Sequence, residues 1–442
     1  MQACPGRRSP VVEELADQPR NSVEELADQP RNSVEELADQ PRNSVEELAD
    51  QPRNSAEFVF TDEQAQLKSA VTKFCSENFD EPTVRRLMES DPPFDSAVWT
   101  RLGTELGVLG LSVPEADGGF GGSLIDQAVA VEQLGASLAC GPVFGTVFLA
   151  IPALVAASSG PVRDELLAEL VDGRRTAAFA VTDKAGAFDP SAVTVTASDS
   201  GGQWTVSGTV PRVVDGGVAD ELLVAANGPD GVSLFAVEAA GSGVARTSLV
   251  TMDLTRPQAT IEFTDAPARL AADAGEAPRV IEHALQVGSA LLAVEQVGAA
   301  KHLLDLSVEY AKTRLQFGRP IGSFQAVKHR LADLLVDVEH ARSTAYHAIW
   351  ALTDGSDDPA LATSIAQATA SAAFARVAHD TIQVHGGIGF TWEHQAHLYF
   401  KRATTDAALL GSPEQHRSRV AALVLDTAVA ERVPRVADGT PA

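Results

Sequence analysis

Residues 310–331 read YAKTRLQFGRPIGSFQAVKHRL, and the organisation of the chain turns on them. Tyr310, Thr313 and Arg314 fall at helical spacing, after which Gly318, Arg319 and Pro320 interrupt the pattern. Pro320 has no amide proton and fixes its own φ, so a regular helix must stop before it. Gly322 and Ser323 supply a turn and an N-cap, and Phe324 to Leu331 restarts a helix. The expectation is a helix, a tight corner and a second helix, with Arg314 and Gln325 converging on the corner. An arginine there suits a phosphate, because its planar fork donates two parallel hydrogen bonds. The plainer alternative is a helix–helix connection with solvated charges.

Working outward, 442 residues give room for two or three domains. A hydrophobic content of 45% with 21% charged residues is that of an ordinary globular protein. A net charge of −26 argues against a nucleic-acid surface and an anionic membrane partner. Cys4, Cys75 and Cys140 have no metal-ligand spacing, so no metal site is expected, and they suit a reducing compartment. The opening MQACPGRRSP has no apolar signal core. Leu134 to Ser159 carries no charge, but Gly135, Gly141, Pro142, Gly145 and Pro152 break it, which fits a buried helical segment better than a membrane span. A cytoplasmic protein is the expectation.

Residues 12–55 hold four identical copies of VEELADQPRNS. Each copy has two apolar anchors and a proline, too few to bury a core and too broken for a continuous helix. Each also has two Glu, one Asp and one Arg, so the array supplies eight of the 26 net negative charges. Residues 1–55 are expected to be a disordered tail. From 56 to 175 helical patterns dominate, opened by a capping box at Thr61 and Gln64. From 176 to 270 the texture changes to short β-branched runs such as AVTVTA, QWTVSGTV and ELLVAA, separated by Gly, Asp and Ser, which predicts an antiparallel β-domain. Long Ala- and Leu-rich helical segments fill 271–433 and predict a four-helix bundle, with 434–442 a second tail. The fold class is α+β.

The wording of three segments is more specific than their physics. T-R-x-Q-F-G-x-P-I-x-x-F-Q-x-x-K-H from Thr313 resembles the C-terminal signature of the acyl-CoA dehydrogenase family. Gln383-Val-His-Gly-Gly-Ile-Gly389 resembles its QxxGGxG segment. Trp99 to Gly122 resembles its W-x-x-L…L-G-x-x-G-L-x-V-P-E element, placed at the lip of the acyl pocket. The resemblance covers roughly residues 57–430 and implies that family's fold: helical domain, β-domain, helical bundle. It also implies FAD, an acyl-CoA substrate, α-proton removal with hydride transfer to the flavin, a homo- or hetero-tetramer and electron-transfer flavoprotein as acceptor. Arg314 would contact the FAD pyrophosphate of a neighbouring subunit, Phe324 and Gln325 would lie beside its adenosine portion, and Gln383, Gly386 and Gly387 would form the glycine-rich turn. His385 is given no role.

Other family positions differ. The family's T-E-P-x-x-G-S-D is replaced by Thr182-Asp-Lys-Ala-Gly-Ala-Phe-Asp189, and its flavin-stacking W-I-T by Arg212-Val213-Val214. The usual catalytic glutamate of I-Y-E-G-T falls on Leu410, which cannot take a proton. Glu282 aligns with the alternative base position of a minority of the family. A positioned base is typically worth about 10²–10⁴ in rate, so these substitutions separate three readings. One is a complete FAD-dependent acyl-CoA dehydrogenase with Glu282 as base. The second is an impaired subunit that completes a partner's FAD site, as in actinobacterial heteromeric enzymes of steroid side-chain degradation. The third is a non-enzymatic scaffold. The pattern of retained and lost residues favours the second.

Overall fold

The computed structural model describes residues 60–181, 192–355 and 357–426. The four repeats, the Thr182–Asp189 segment and the C-terminal tail lie outside the described residues.

Helix α1 (Asp62–Asn78) begins at the expected capping box: the Thr61 hydroxyl accepts from the Gln64 amide at 3.2 Å, and the Gln64 side chain accepts from the Thr61 amide at 3.1 Å. Helices α2 (Glu81–Leu87), α3 (Ser96–Thr104) and α4 (Leu124–Ala136) follow. The uncharged run then forms a buried π-helix at Phe144–Ala150 that continues into α5 (Ile151–Ala156), and α6 (Pro161–Val171) ends this helical layer. Among the described residues no helix is long and apolar enough to cross a membrane.

Strands β1 (Ala177–Ala180), β2 (Thr196–Asp199), β3 (Trp204–Val214), β4 (Glu221–Gly228), β5 (Gly231–Glu238), β6 (Val244–Ser248) and β7 (Gln258–Ala272) make one sheet. Its pairings run β4–β5–β7–β3–β2 and return to β4 through Thr196 opposite Asn227, so the sheet closes on itself around Val206, Val210, Leu222, Phe235 and Ile261. The expectation of a purely antiparallel domain needs amendment at two pairings. Strand β1 runs parallel to β4, because the chain reaches β1 directly from the helical layer, not from a hairpin, and the Thr196–Asn227 closure of β2 on β4 is parallel as well.

Helix α7 (Ala277–Thr313) is the spine of the bundle and packs on α8 (Gln325–Asp354), α9 (Pro359–His385) and α4. Its crossing with α4 is set by two glycines: a Cβ on Gly298 would sit 1.9 Å from the Glu132 carbonyl oxygen, and one on Gly135 would sit 2.2 Å from that of Glu295. Only backbones without side chains can approach so closely. Helices α10 (Ala396–Asp406) and α11 (Pro413–Ala421) complete the layer.

At the corner between α7 and α8, α7 stops at Thr313, before Pro320 as expected. What replaces the helix is a miniature hairpin. Strands β8 (Leu315–Gln316) and β9 (Arg319–Pro320) pair across Phe317 and Gly318, both at positive φ (54° and 76°), the backbone of a two-residue hairpin turn. Ser323 does not cap α8. Its hydroxyl turns back to donate to the Pro320 carbonyl at 2.7 Å, and Phe324 takes the N-cap position without a side-chain acceptor.

Candidate active site and cofactor surface

Two separate groups of residues emerge, one at each end of α7. The first lines a cavity of about 510 Å³ between the π-helix, the end of β3, the start of α7 and the turn after α10. Phe144, Leu149, Phe179 and Leu285 supply apolar walls; Glu282, Gln286, Ser289, His416 and Arg419 add polar groups. Arg212, Val213, Val214 and Leu410 all line it, so the segment in the flavin-ring position and both candidate base positions converge on one space. Of the residues missed by sequence reasoning, Gln286, Ser289, His416 and Arg419 sit in helices whose sequence gives no cue to a cavity. None of Glu115–Gly122, the expected pocket lip, lines it.

The backbone here is unusual. Arg212, at φ 53°, sits in a bulge where the β3–β7 register shifts between Val210 and Val213. Leu410 is at φ 55°, and its carbonyl accepts from His416 Nε2–H at 3.0 Å. Burial lowers the pKa of His416, and that hydrogen bond opposes the shift. Neither Leu410 nor Val213 nor Val214 brings a side-chain donor or acceptor. Glu282 reaches the cavity from the first turns of α7, is exposed, and makes no hydrogen bond or ion pair among the described residues.

Three walls of the cavity are tied together by a buried charge cluster. Arg402 Nε donates to Asp253 at 2.8 Å, one Nη to Glu295 at 3.3 Å, and the other to the Thr255 carbonyl and hydroxyl at 3.0 and 2.6 Å. Arg256 pairs with Glu295 and lies 3.4 Å from Asp406. Asp215, next to Val214, accepts from the amide of Gly145, next to Phe144, at 2.9 Å. The cluster holds four carboxyls and two guanidiniums, all buried. Neither Asp406 oxygen has a hydrogen-bond partner among the described residues. Burial pushes the Asp406 carboxyl up to about 7 and the Asp215 carboxyl up to about 6, both against the pull of the arginines.

A folded-state pKa above the unfolded one means that the folded chain holds its proton more tightly. The resulting stability is complete below the unfolded value and is lost as pH rises through the folded one. Asp406→Asn carries no such proton. Relative to the parent it should gain stability between about pH 4 and pH 7, at a slope of up to about 1.4 kcal/mol per pH unit for one proton. Urea unfolding of both proteins at pH 5 and pH 8 checks this; a stability difference that is the same at both pH values would contradict it.

The second group lies at the far end of α7. Arg314 is its C-cap residue and is exposed, and its guanidinium makes no hydrogen bond or ion pair among the described residues. Gln325 and Gln383 are also exposed, and Phe324 lies beneath the Arg319 guanidinium at 4.1 Å. Gly386 caps α9 at φ 61°, ψ −138°, a conformation that suits only glycine, and a Cβ on it or on Gly387 would meet nothing within 4 Å. Tyr310 and His385 stack with ring centroids 4.4 Å apart, which brings the two sequence blocks onto one surface. His385 is buried, donates from Nδ1 to the Thr381 carbonyl at 2.8 Å, and has its pKa lowered by burial. Apolar side chains surround this surface: Phe317 is 90% and Phe390 84% exposed.

An unpaired cation, two amides and open glycine backbone are the donor set that a pyrophosphate and its flanking groups require. This half fits an FAD. In the cavity half Val213, Val214 and Leu410 offer no side-chain hydrogen bond to a flavin ring, and among the described residues its polar side chains are those of Arg212, Glu282, Gln286, Ser289, Thr363, Gln415, His416 and Arg419. No group of three or more His, Cys, Asp or Glu that could hold a metal occurs among the described residues.

Residues 61–174 match the family model for the acyl-CoA dehydrogenase N-terminal domain, and residues 278–425 that for the C-terminal domain. The acyl-CoA dehydrogenase IpdE2 of Mycobacterium tuberculosis is 34% identical, over 80% of this chain and 95% of that relative. The IpdE2 of Mycolicibacterium smegmatis is 35% identical over 82% of this chain and 99% of its own length. Among solved structures, a chain of the ChsE4–ChsE5 complex from Mycobacterium tuberculosis superposes with a TM-score of 0.75 at 30% identity, covering 87% of this chain and all of that one.

Proposed function

The chain belongs to the acyl-CoA dehydrogenase family, oxidoreductases that act on acyl-CoA thioesters with FAD, and we propose that it works there as the subunit that completes a partner's flavin site. One observation carries this. Ser289, at the cavity, and Arg314, at the cofactor surface, are 25 residues apart on one helix, hence about 37 Å along its axis. A single FAD does not bridge that distance, so the Arg314 surface and this chain's own cavity do not serve one flavin. The Arg314 surface faces outward and keeps the donors for a ligand held by another chain. The chain's own cavity has a leucine at one base position and valines where the ring would need donors. Two copies of this chain would therefore make two defective sites, whereas a pair with an unlike chain makes one whole one.

The chemistry that a bound FAD would supply in that pair is acceptance of a hydride from the β-carbon. This chain would contribute Arg314 to hold the pyrophosphate, Phe324 and Gln325 beside the adenosine portion, and Gln383 with the Gly386–Gly387 backbone along the same arm. The base comes from the partner. A heteromeric assembly, tetrameric in this family, is supported by the relative named as the ChsE4–ChsE5 complex. An acyl-CoA substrate, electron-transfer flavoprotein as acceptor and a cytoplasmic setting complete the reading, the last supported by the buried, free Cys75 and Cys140. Glu282 favours a second reading, a self-sufficient enzyme, because it lines the cavity. Dye-linked acyl-CoA oxidation separates them. The chain should be inactive alone and active with its partner, and Glu282→Gln should leave the pair within about twofold of the parent, since an exposed carboxylate without partners contributes little. Loss of activity by about 10² or more in Glu282→Gln, the effect of removing a general base, would contradict the proposal.

A further inference from the structure

We infer that the stacked pair Tyr310–His385 is a positioning element that holds Arg314 and the Gly386–Gly387 backbone on one ligand surface, an inference that rests on the flavin-completing role proposed above. The two rings lie 4.4 Å apart at 27°, and the Tyr310 hydroxyl donates to the His385 carbonyl at 3.5 Å. These contacts tie the last turn of α7 to the last turn of α9. From Tyr310 a hydrogen bond leads outward: the Arg314 amide donates to the Tyr310 carbonyl at 2.8 Å. The backbone of the arginine thus hangs from the tyrosine. On the other side His385 immediately precedes Gly386, so the imidazole fixes where the glycine turn begins.

The imidazole is itself held on three sides. Its Nδ1–H is committed to Thr381, Tyr310 covers one face, and His394 packs against it with centroids 4.4 Å apart. Gly386 needs such an anchor, because a glycine at positive φ has no side chain to fix its own position. The corner on the other side is anchored too: the Ile321 amide donates to the Arg314 carbonyl at 2.8 Å, and Gly322 passes so close to α7 that a Cβ would lie 2.9 Å from the Ala311 carbonyl oxygen. Arg314 therefore has a fixed backbone, and the Tyr310–His385 stack sets its distance from the glycine turn. Neither ring needs to touch the ligand for this role.

The test uses the complex isolated through a tag on this chain, stripped of flavin and titrated with FAD. Tyr310→Leu fills the space but removes the stack, and should weaken FAD binding by up to about tenfold, the ceiling for a stacked pair. Tyr310→Phe keeps the stack and should stay within about twofold of the parent, since it loses only a long hydrogen bond. Should Tyr310→Leu lower the melting temperature of the complex as well, His385→Gln breaks the same stack from α9 and should weaken FAD equally. Unchanged FAD affinity in Tyr310→Leu or His385→Gln would overturn the inference, and so would a Tyr310→Phe protein as weak as Tyr310→Leu. A parent complex that takes up no FAD would overturn the proposed function and this inference with it.

Discussion

Arg402→Met should cost the folded chain about 3–5 kcal/mol, the usual effect of removing one partner from a buried ion pair. Methionine replaces the aliphatic stem but none of the four polar contacts to Asp253, Glu295 and Thr255. It leaves Asp253, Glu295 and Asp406 buried with Arg256 as the remaining cation of the cluster. Against a total stability of about 5–15 kcal/mol for a typical protein, that is a large share of the margin. Urea unfolding followed by circular dichroism measures it. The double change Arg402→Met with Asp253→Asn should recover part of the loss, because it removes one of the uncompensated carboxylates. A cost below about 1 kcal/mol would place the cluster among solvent-screened pairs, against its burial.

Arg314→Glu should do the opposite: little to the fold and much to the cofactor. The side chain is exposed and unpaired, so its replacement should alter stability by no more than about 0.5 kcal/mol. A charge-assisted hydrogen bond contributes about 1.5–3 kcal/mol, and a fork to a phosphate makes two. Replacing the cation with an anion should therefore weaken FAD binding by the assembled complex by about 100-fold or more. Arg314→Lys, which keeps the charge but loses the fork, should fall between the two. Fluorescence titration of the flavin-stripped complex reads all three proteins. Equal affinities would remove Arg314 from the cofactor surface.

The sequence is unevenly informative, for physical reasons. Pro320 stops a helix wherever it falls, so the corner was legible. Its hairpin was not, because positive φ at Phe317 is a tertiary outcome that no phenylalanine signals. Thr61 and Gln64 announce a cap by local spacing alone. Ser323 looked like a cap for the same reason, yet its hydroxyl found the Pro320 carbonyl first. The cavity was legible only in pieces, as Glu282 and as the substitutions at Leu410 and Arg212–Val214, since spacing does not show that strand β3, the start of α7 and the turn after α10 face one space. The charge cluster left no trace at all. Its members are scattered over two loops (Asp215; Asp253 and Arg256) and two helices (Glu295; Arg402 and Asp406) and meet only when the β-domain docks on the bundle. A histidine beside glycines is commonplace, so nothing in the sequence singles out His385; its stack on Tyr310 depends on the packing of α7 against α9.

The central claim is that one flavin is shared between this chain and an unlike one. Flavin absorbance relative to protein, measured on the chain alone and on its complex with the partner, tests it most directly. The account predicts a nearly colourless chain alone and about one FAD per pair in the complex, because each pair assembles one whole site. About one FAD per chain in the protein purified alone, bleached on addition of an acyl-CoA, would contradict it.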